Sequence, residues 1–439
     1  MKQITGLTKC IPVTGDFDVV IAGGGLSGMA AAYNAAKRGL SVCVLEYYSK
    51  LGGVPASGLL GIVSGFRLDN EICVDGPFLR ELVSRAEKYQ AVRSFKGWSY
   101  RFDCELLPLI LMEMADDYGV EIRLLSPVAD SVSDGGRISS AVVASRRGLE
   151  AVTGKLFIDD TGDGLLAVSA GAGFEYGRPE DGKVQSSSLT FRVGGIDPGK
   201  IPSGMPEATK IWRSEQHNVP TDHTVITYLP GSGREASVNM THILNCDPLT
   251  DEGIDRIRKE GLKQALEIVD FFRSRLPGFS NCRLLESAMQ PGIRESRRII
   301  GDYTLTADDV IHGRDFPDQI ARGCWGIDIH MPDKVHSTSH LPHFNIPRSY
   351  GIPYRCITPQ KLENCFVIGK AVSATHEACA SCRINATCIA LGEAAGTAAP
   401  RAIDCGDIHE VDTELLRKKL QEQGNIVDYT PLAPGAPGE

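Results

Sequence analysis

A chain of 439 residues is long enough for a large buried core and for more than one domain, and its 42% hydrophobic and 23% charged content is ordinary for a soluble globular protein. The net charge of −9 argues against nucleic acid or an anionic membrane surface as the main partner, and no apolar run is long enough to span a bilayer. The stretch MKQITGLTKCIPVTGDF lacks the apolar core of a signal peptide, and the 13 cysteines, mostly in apolar or Gly/Ala-rich settings, read as reduced buried thiols, so the cytoplasm is the expected location.

The stretch FDVVIAGGGLSGMAAAYNAAKRGLSVCVLE, residues 17–46, reads as a strand, a glycine turn, a helix and a second strand ending on an acid. Gly23 permits the tight turn, Gly25 lets a pyrophosphate approach the backbone, and Gly28 lets the helix pack closely on the strand. The helix, from about Leu26 and Ser27 to Arg38, aims its free N–H groups and positive dipole end at the phosphate. Glu46 is placed to accept hydrogen bonds from the ribose of an adenine dinucleotide and to repel a 2′-phosphate.

The next segment, YYSKLGGVPASGLLGIVSGF, is a glycine-dense loop suited to lie near a cofactor. Helices are expected at Gly76 to Tyr89 and Cys104 to Tyr118, then a strand in VEIRLLSPV. Further strands follow in RISSAVVASRRGLEAVTGKLFIDDTG, with turns at Arg146–Gly148 and near Gly154. KLFIDDTGDGLLAVSAGA, residues 155–172, repeats the strand-to-glycine turn before a small-residue helix. Composition shifts after Gly182: SSSLTFRVGGI and HTVITYLPGSGREASVNMTHI read as sheet, and Asp251 to Leu276 as one long helix. From Ile352 the Gly/Ala-rich pattern resumes, and a last helix is expected at about Thr413 to Gln423. The expected fold is α/β, with a discontinuous Rossmann-like nucleotide-binding domain (1–185 and 352–425), an inserted α+β substrate domain (186–351) and a flexible tail (426–439).

NCFVIGKAVSATHEACASCRINATCIALGEAAGTAA, residues 364–399, is an apolar strand ending at Gly369, a polar loop, and a helix from about Asn385 to Ala399. Its small residues allow close approach to backbone or to a flat ring, and its N-terminus offers positive potential where a flavin gathers negative charge. The three signatures in this order resemble the FAD-dependent oxidoreductase family distantly related to the succinate dehydrogenase and fumarate reductase flavoproteins. GIRESRRIIGDYTLTADDV, IDIHMPD and IPYRCITP add to the resemblance, which covers about residues 15–425. It implies that Gly23, Gly25, Gly28 and Glu46 hold the ADP half of FAD, and that Gly52 and Gly53 run along the pyrophosphate and flavin. It also implies that Val128 meets the adenine, that Thr161, Gly162 and Asp163 flank the cofactor, and that Gly369, Arg383, Asn385, Ala386 and Thr387 contact the ribityl chain and flavin. With no histidine between Lys50 and Gly65, the FAD is expected to be noncovalent.

A flavin takes or gives a hydride at N5, and the protein manages the accompanying proton. Candidate catalytic groups are His330, His376 and Arg294, with Tyr303, Arg297, Arg298, Arg348, Arg355 and Arg383 as further possibilities for proton handling or for holding a carboxylate. His330, His336, His340 and His343 follow no familiar ligand spacing, so no metal is expected. Cys379 and Cys382 read as small packing residues in preference to a redox pair. The leading reading is a FAD-dependent dehydrogenase or ene-reductase acting on a small polar, carboxylate-bearing metabolite, with an electron donor or acceptor partner. The alternatives are a flavin monooxygenase or halogenase, or a non-catalytic FAD-binding protein.

Overall fold

The computed structural model describes residues 10–95, 97–201, 205–231, 233–335 and 346–431. Strand Val13–Ala22 lies inside a seven-stranded sheet, paired in parallel with Val42–Leu45 on one side and Gly148–Asp159 on the other. Glu121–Arg123 extends the first side; Arg137–Ser145 and Val128–Asp134 extend the second as an antiparallel meander. Cys365–Val367 pairs in parallel with the end of Gly148–Asp159. Val19, Val20, Ile21, Phe157, Ile158 and Phe366 are fully buried, as continuous apolar strands require when both faces are covered. Register then does the positioning. Ala22 is opposite Asp159, and Asp159 is opposite Val367. The three glycine signatures therefore leave the sheet side by side at the carboxyl ends of adjacent parallel strands, where α/β sheets bind ligands.

Helix Leu26–Ala36 packs on helix Asn385–Cys405 at unusually close range. A Cβ at Gly392 would stand 2.0 Å from the Ser27 carbonyl oxygen, and one at Gly396 would stand 2.2 Å from that of Ala31. The Asn385 helix exceeds its expected end at Ala399. It continues through Pro400 and stops at Gly406, whose φ of +76° is the left-handed C-cap that glycine adopts freely. Burial along this helix overrides the breaker. Two other local expectations are corrected. Strand Gly148–Asp159 passes through Gly154 without a turn, because Val20 packs where a side chain would be. The loop expected after Gly369 contains helix His376–Cys382, started by the Thr375 hydroxyl accepting from the Ala378 N–H.

The second sheet is antiparallel and four-stranded, in the order Ile226–Tyr228, Glu235–Val238, Phe191–Gly194, Arg283–Ser287. Helix Asp251–Arg275, N-capped by Thr250, buries Ala265, Ile268, Val269 and Phe272 with Phe191, Val193, Trp212 and Val238. The hairpin Gln319–Gly323/Tyr350–Pro353 belongs elsewhere: Ile320, Ala321 and Tyr350 share the core of helix Asn385–Cys405. The expected boundary at 351/352 thus falls within a strand. Part of the expected flexible tail is also held. The Thr430 carbonyl accepts from the Ile72 N–H at 3.1 Å, Asp428 pairs with Arg417, and Val427 is buried; residues 432–439 lie outside the described residues. No helix among the described residues is long and apolar enough to cross a membrane.

Candidate active site

The first part of the site is a glycine cradle. Gly25 is the N-cap of helix Leu26–Ala36 and makes no side-chain cap hydrogen bond. A Cβ on Gly28 would lie 2.1 Å from the Gly23 carbonyl oxygen, and one on Gly23 would lie 2.3 Å from that of Asp160. The Gly52 N–H donates to the Gly24 carbonyl at 2.8 Å, and Gly53 would touch the Gly25 Cα if it bore a side chain. Glu46 is buried at the end of its strand. Its carboxylate accepts from the Gly24 N–H at 2.6 Å and the Tyr48 N–H at 2.7 Å. Its own carbonyl accepts from the Ser126 N–H, which brings the start of strand Val128–Asp134 alongside.

Sequence reasoning missed Asp160 as a member of this cradle. Its carboxyl accepts from the Ser27 hydroxyl and, at 2.8 Å, from the Gly28 N–H. Gly369 lies against it, since a Cβ there would meet Asp160 Oδ1 at 2.6 Å. One partly buried acid thus ties all three glycine signatures together. Loss of hydration pushes its pKa up to about 7, so a larger share of the carboxyl is neutral than for an ordinary aspartate, which lessens repulsion of a neighbouring phosphate. The signal was present in DDTGDG, but only the tertiary fold aims this carboxyl at the helix N-terminus. Thr161 hydrogen-bonds Asp159 at 2.7 Å. Lys370 donates to the Gly162 carbonyl and, at 3.0 Å, to Asp163. Together with Ser296 it holds the Asp163 carboxyl below its usual range, against the raising effect of burial.

These residues fit an adenine dinucleotide: side-chain-free backbone at an uncapped helix N-terminus, a buried acid at the end of the second strand, and a small-residue helix close by. Gly23, Gly25, Leu26, Ser27, Gly28, Glu46, Gly52 and Gly53 meet in one cradle, joined by Gly369 and by the turn at Thr161.

The second part is a polar cluster in which Arg294 and His242 are buried and Asp328, His330 and Arg383 are partly buried. Arg294 donates to the Ser186 carbonyl at 2.7 Å and makes no ion pair among the described residues. Burial, then the nearby Arg383, bring its pKa down to about 9. Arg383, which ends helix His376–Cys382 just before Asn385, donates to the Asp328 carbonyl at 3.2 Å. The Asp328 carboxylate faces His330 Nε2 at 3.5 Å, and His330 Nδ1 lies 3.1 Å from His242 Nε2. Against burial, His330, Arg383 and Arg294 hold Asp328 far below the usual carboxylate range. Burial and Arg294 lower the His330 pKa to about 4, and burial puts His242 well below its ordinary value. Both imidazoles are therefore neutral at pH 7. A carboxylate only accepts, so His330 carries its proton on Nε2 and accepts at Nδ1 from His242 Nε2–H. His242 Nδ1 is buried near the Met240 carbonyl without making a hydrogen bond to it, and Gln185 Nε2, Ser186 Oγ, Ser187 Oγ and Arg383 Nε are likewise buried without partners.

The remaining candidates are dispersed. His376 pairs with Glu295 at 2.9 Å, and Glu295 binds Arg298 and the Gln185 N–H. His376 thus stands behind the cluster, linked to it through Glu295, and is not brought to Arg294 or His330. Arg297 lies over the Phe174 ring, Arg348 pairs with Asp315, Arg355 pairs with Asp318, and Tyr303 hydrogen-bonds Asp309. Cys379 and Cys382 are buried free thiols, and burial raises the pKa of both, to about 11 at Cys379, so neither is a reactive thiolate at pH 7. His336, His340 and His343 lie outside the described residues. Among the described residues no cluster of three or more His, Cys, Asp or Glu is arranged to hold a metal ion. Sequence reasoning also missed His242, which stands in a segment read only as sheet.

Comparisons with known proteins agree with the cradle. The chain is 26% identical over 154 residues to digeranylgeranylglycerophospholipid reductase of Sulfolobus acidocaldarius, covering 33% of this chain and 34% of the reductase. It is 29% identical over 126 residues to thiamine thiazole synthase of Aeropyrum pernix, covering 29% and 43%. The chain thus spans less than half the length of either relative. A solved structure of a geranylgeranyl bacteriochlorophyll reductase-like protein from Thermoplasma acidophilum aligns over 93% of this chain and 84% of its own, at 14% identity and a TM-score of 0.47. These relatives are a reductase and a synthase, and they give no specific link to the succinate dehydrogenase and fumarate reductase flavoproteins, to which the family was expected to be distantly related. The family model for FAD dependent oxidoreductase matches residues 18–420. The chain belongs to the FAD dependent oxidoreductase family and is an enzyme with FAD as its cofactor.

Proposed function

We propose that the enzyme is a dehydrogenase or ene-reductase whose substrate is a small metabolite bearing a carboxylate, held in the cluster around Arg294. The observation that carries this reading is a buried guanidinium without an ion pair among the described residues, in a cluster where several buried polar atoms lack partners. Burying a charge costs several kcal/mol; Asp328, which is not in direct contact, offsets part of that cost at Arg294, and an anionic ligand offsets more. Bound FAD supplies the redox chemistry at its N5. Arg294 and Arg383 bind and orient the carboxylate. Asp328 fixes the His330 tautomer, His330 fixes that of His242, and His242 Nδ1 is the atom that takes the proton. His376 acts as a positioning residue through Glu295. FAD is held noncovalently by the cradle, with Val128 by the adenine and with Gly162, Asp163, Asn385, Ala386 and Thr387 toward the flavin.

Anaerobic mixing of the FAD-loaded enzyme with pools of small metabolites tests this reading. A carboxylate-containing pool should bleach the flavin. Arg294→Gln should raise the concentration needed by at least about tenfold, the worth of a charge-assisted pair. His330→Gln should slow bleaching with the flavin spectrum unchanged. Bleaching only by neutral compounds, unaffected by Arg294→Gln, would refute the assignment.

A further inference from the structure

Arg93 and Arg101 stand directly opposite each other in the hairpin Val92–Phe95/Ser99–Phe102. Like charges facing across an antiparallel pair destabilise it. Neither arginine makes an ion pair among the described residues. Arg192, on the neighbouring sheet, shows what a matched arginine looks like in this fold, with Glu235 at 2.6 Å and Glu286 at 3.3 Å. Arg101 is partly buried. Its guanidinium lies 4.2 Å from the centroid of the Phe95 ring, and its Nε is buried without a hydrogen-bond partner. Burial and the facing Arg93 both lower its pKa, and no carboxylate opposes them. Both arginines line an open cavity of about 440 Å³ that is bordered on the other side by Pro198, Ile201 and Tyr228. That is the size of a small-molecule site, and it shares no residue with the Arg294 cluster or the glycine cradle.

We propose that this groove is a second ligand site that takes an organic phosphate monoester. Its phosphate lies between Arg93 and Arg101, and its apolar or aromatic body packs on Phe95 and Tyr228. A phosphomonoester carries close to two negative charges at neutral pH, which matches two guanidiniums; a carboxylate would leave one of them uncompensated. Guanidinium forks suit phosphate oxygens, and the aromatic walls suit a flat body. The same chemistry is presented by a free phosphorylated metabolite and by the ribose phosphate of NADPH.

Calorimetric titration of the FAD-loaded protein with phenyl phosphate, inorganic phosphate, NADPH and NADH tests the site. Phenyl phosphate or NADPH should bind at least about tenfold tighter than inorganic phosphate, and Arg93→Gln and Arg101→Gln should each weaken that binding by about tenfold or more. Arg93 is exposed, so its variant keeps the test valid if Arg101→Gln misfolds. A preference for NADPH over NADH that is lost in these variants assigns the groove to a dinucleotide. Phenyl phosphate binding without that preference assigns it to a free phosphorylated metabolite. Inorganic phosphate binding as tightly as the organic probes, no binding of either probe, or unchanged affinity in Arg93→Gln overturns the proposal.

Discussion

Replacing Gly392 by alanine puts two opposing effects on one residue. In a helix interior alanine is favoured over glycine by about 1 kcal/mol, so local propensity predicts a more stable protein. The tertiary contact predicts the reverse. The added Cβ would stand 2.0 Å from the Ser27 carbonyl oxygen and 2.8 Å from its carbonyl carbon. Those are backbone atoms of the first turn of helix Leu26–Ala36, and no rotamer can move them aside. Overpacking of this kind costs about 1–3 kcal/mol, and a backbone clash lies toward the upper end. The net expectation is a loss of roughly 1–2 kcal/mol, measured as a lower denaturant midpoint with unchanged slope. The same displacement shifts the helix N-terminus and should weaken FAD binding, followed by the quenching of flavin fluorescence. A Gly392→Ala protein as stable as the parent, with unaltered FAD affinity, would refute the close-packing argument.

Glu46→Gln should leave the apoprotein folded, since an amide oxygen can still accept from Gly24 or Tyr48, while FAD affinity falls; unchanged affinity would remove Glu46 from the ribose site. His330 titrates near 4 in the fold, below its ordinary 6.5. The folded state therefore binds fewer protons than the unfolded chain between these values. The stability His330 contributes is complete above pH 6.5 and is lost as pH falls toward 4. The margin of the parent over His330→Gln should shrink by up to about 2 kcal/mol between pH 7 and pH 5. A margin independent of pH would mean that His330 is not buried in its neutral form.

Much of the dinucleotide cradle was legible in the chain because it is local. A strand, a Gly23–Gly28 turn, a helix and a terminal Glu46 follow one another in 30 residues, and backbone geometry leaves glycine few rivals there. Helices such as Pro77–Lys88 and Leu106–Asp117 also showed in the apolar periodicity. What depended on distant contacts was hidden. Asp160 looked like any acid in a turn until parallel pairing set its strand beside Val13–Ala22. His242 and His330 are 88 positions apart and are brought together by the strap of residues 185–188 and by the Asn245 N–H donating to the Pro332 carbonyl. The arginines, equal in sequence, were sorted by their surroundings: Arg348 and Arg355 pair directly with Asp315 and Asp318, while Arg294 is buried without a direct ion pair among the described residues. Sequence alone determined the nucleotide-binding fold, since its determinants are short-range sterics and hydrophobic period. Tertiary structure alone decided which polar groups share a low-dielectric space, and there the charges and proton positions are set by neighbours the chain brings from far away.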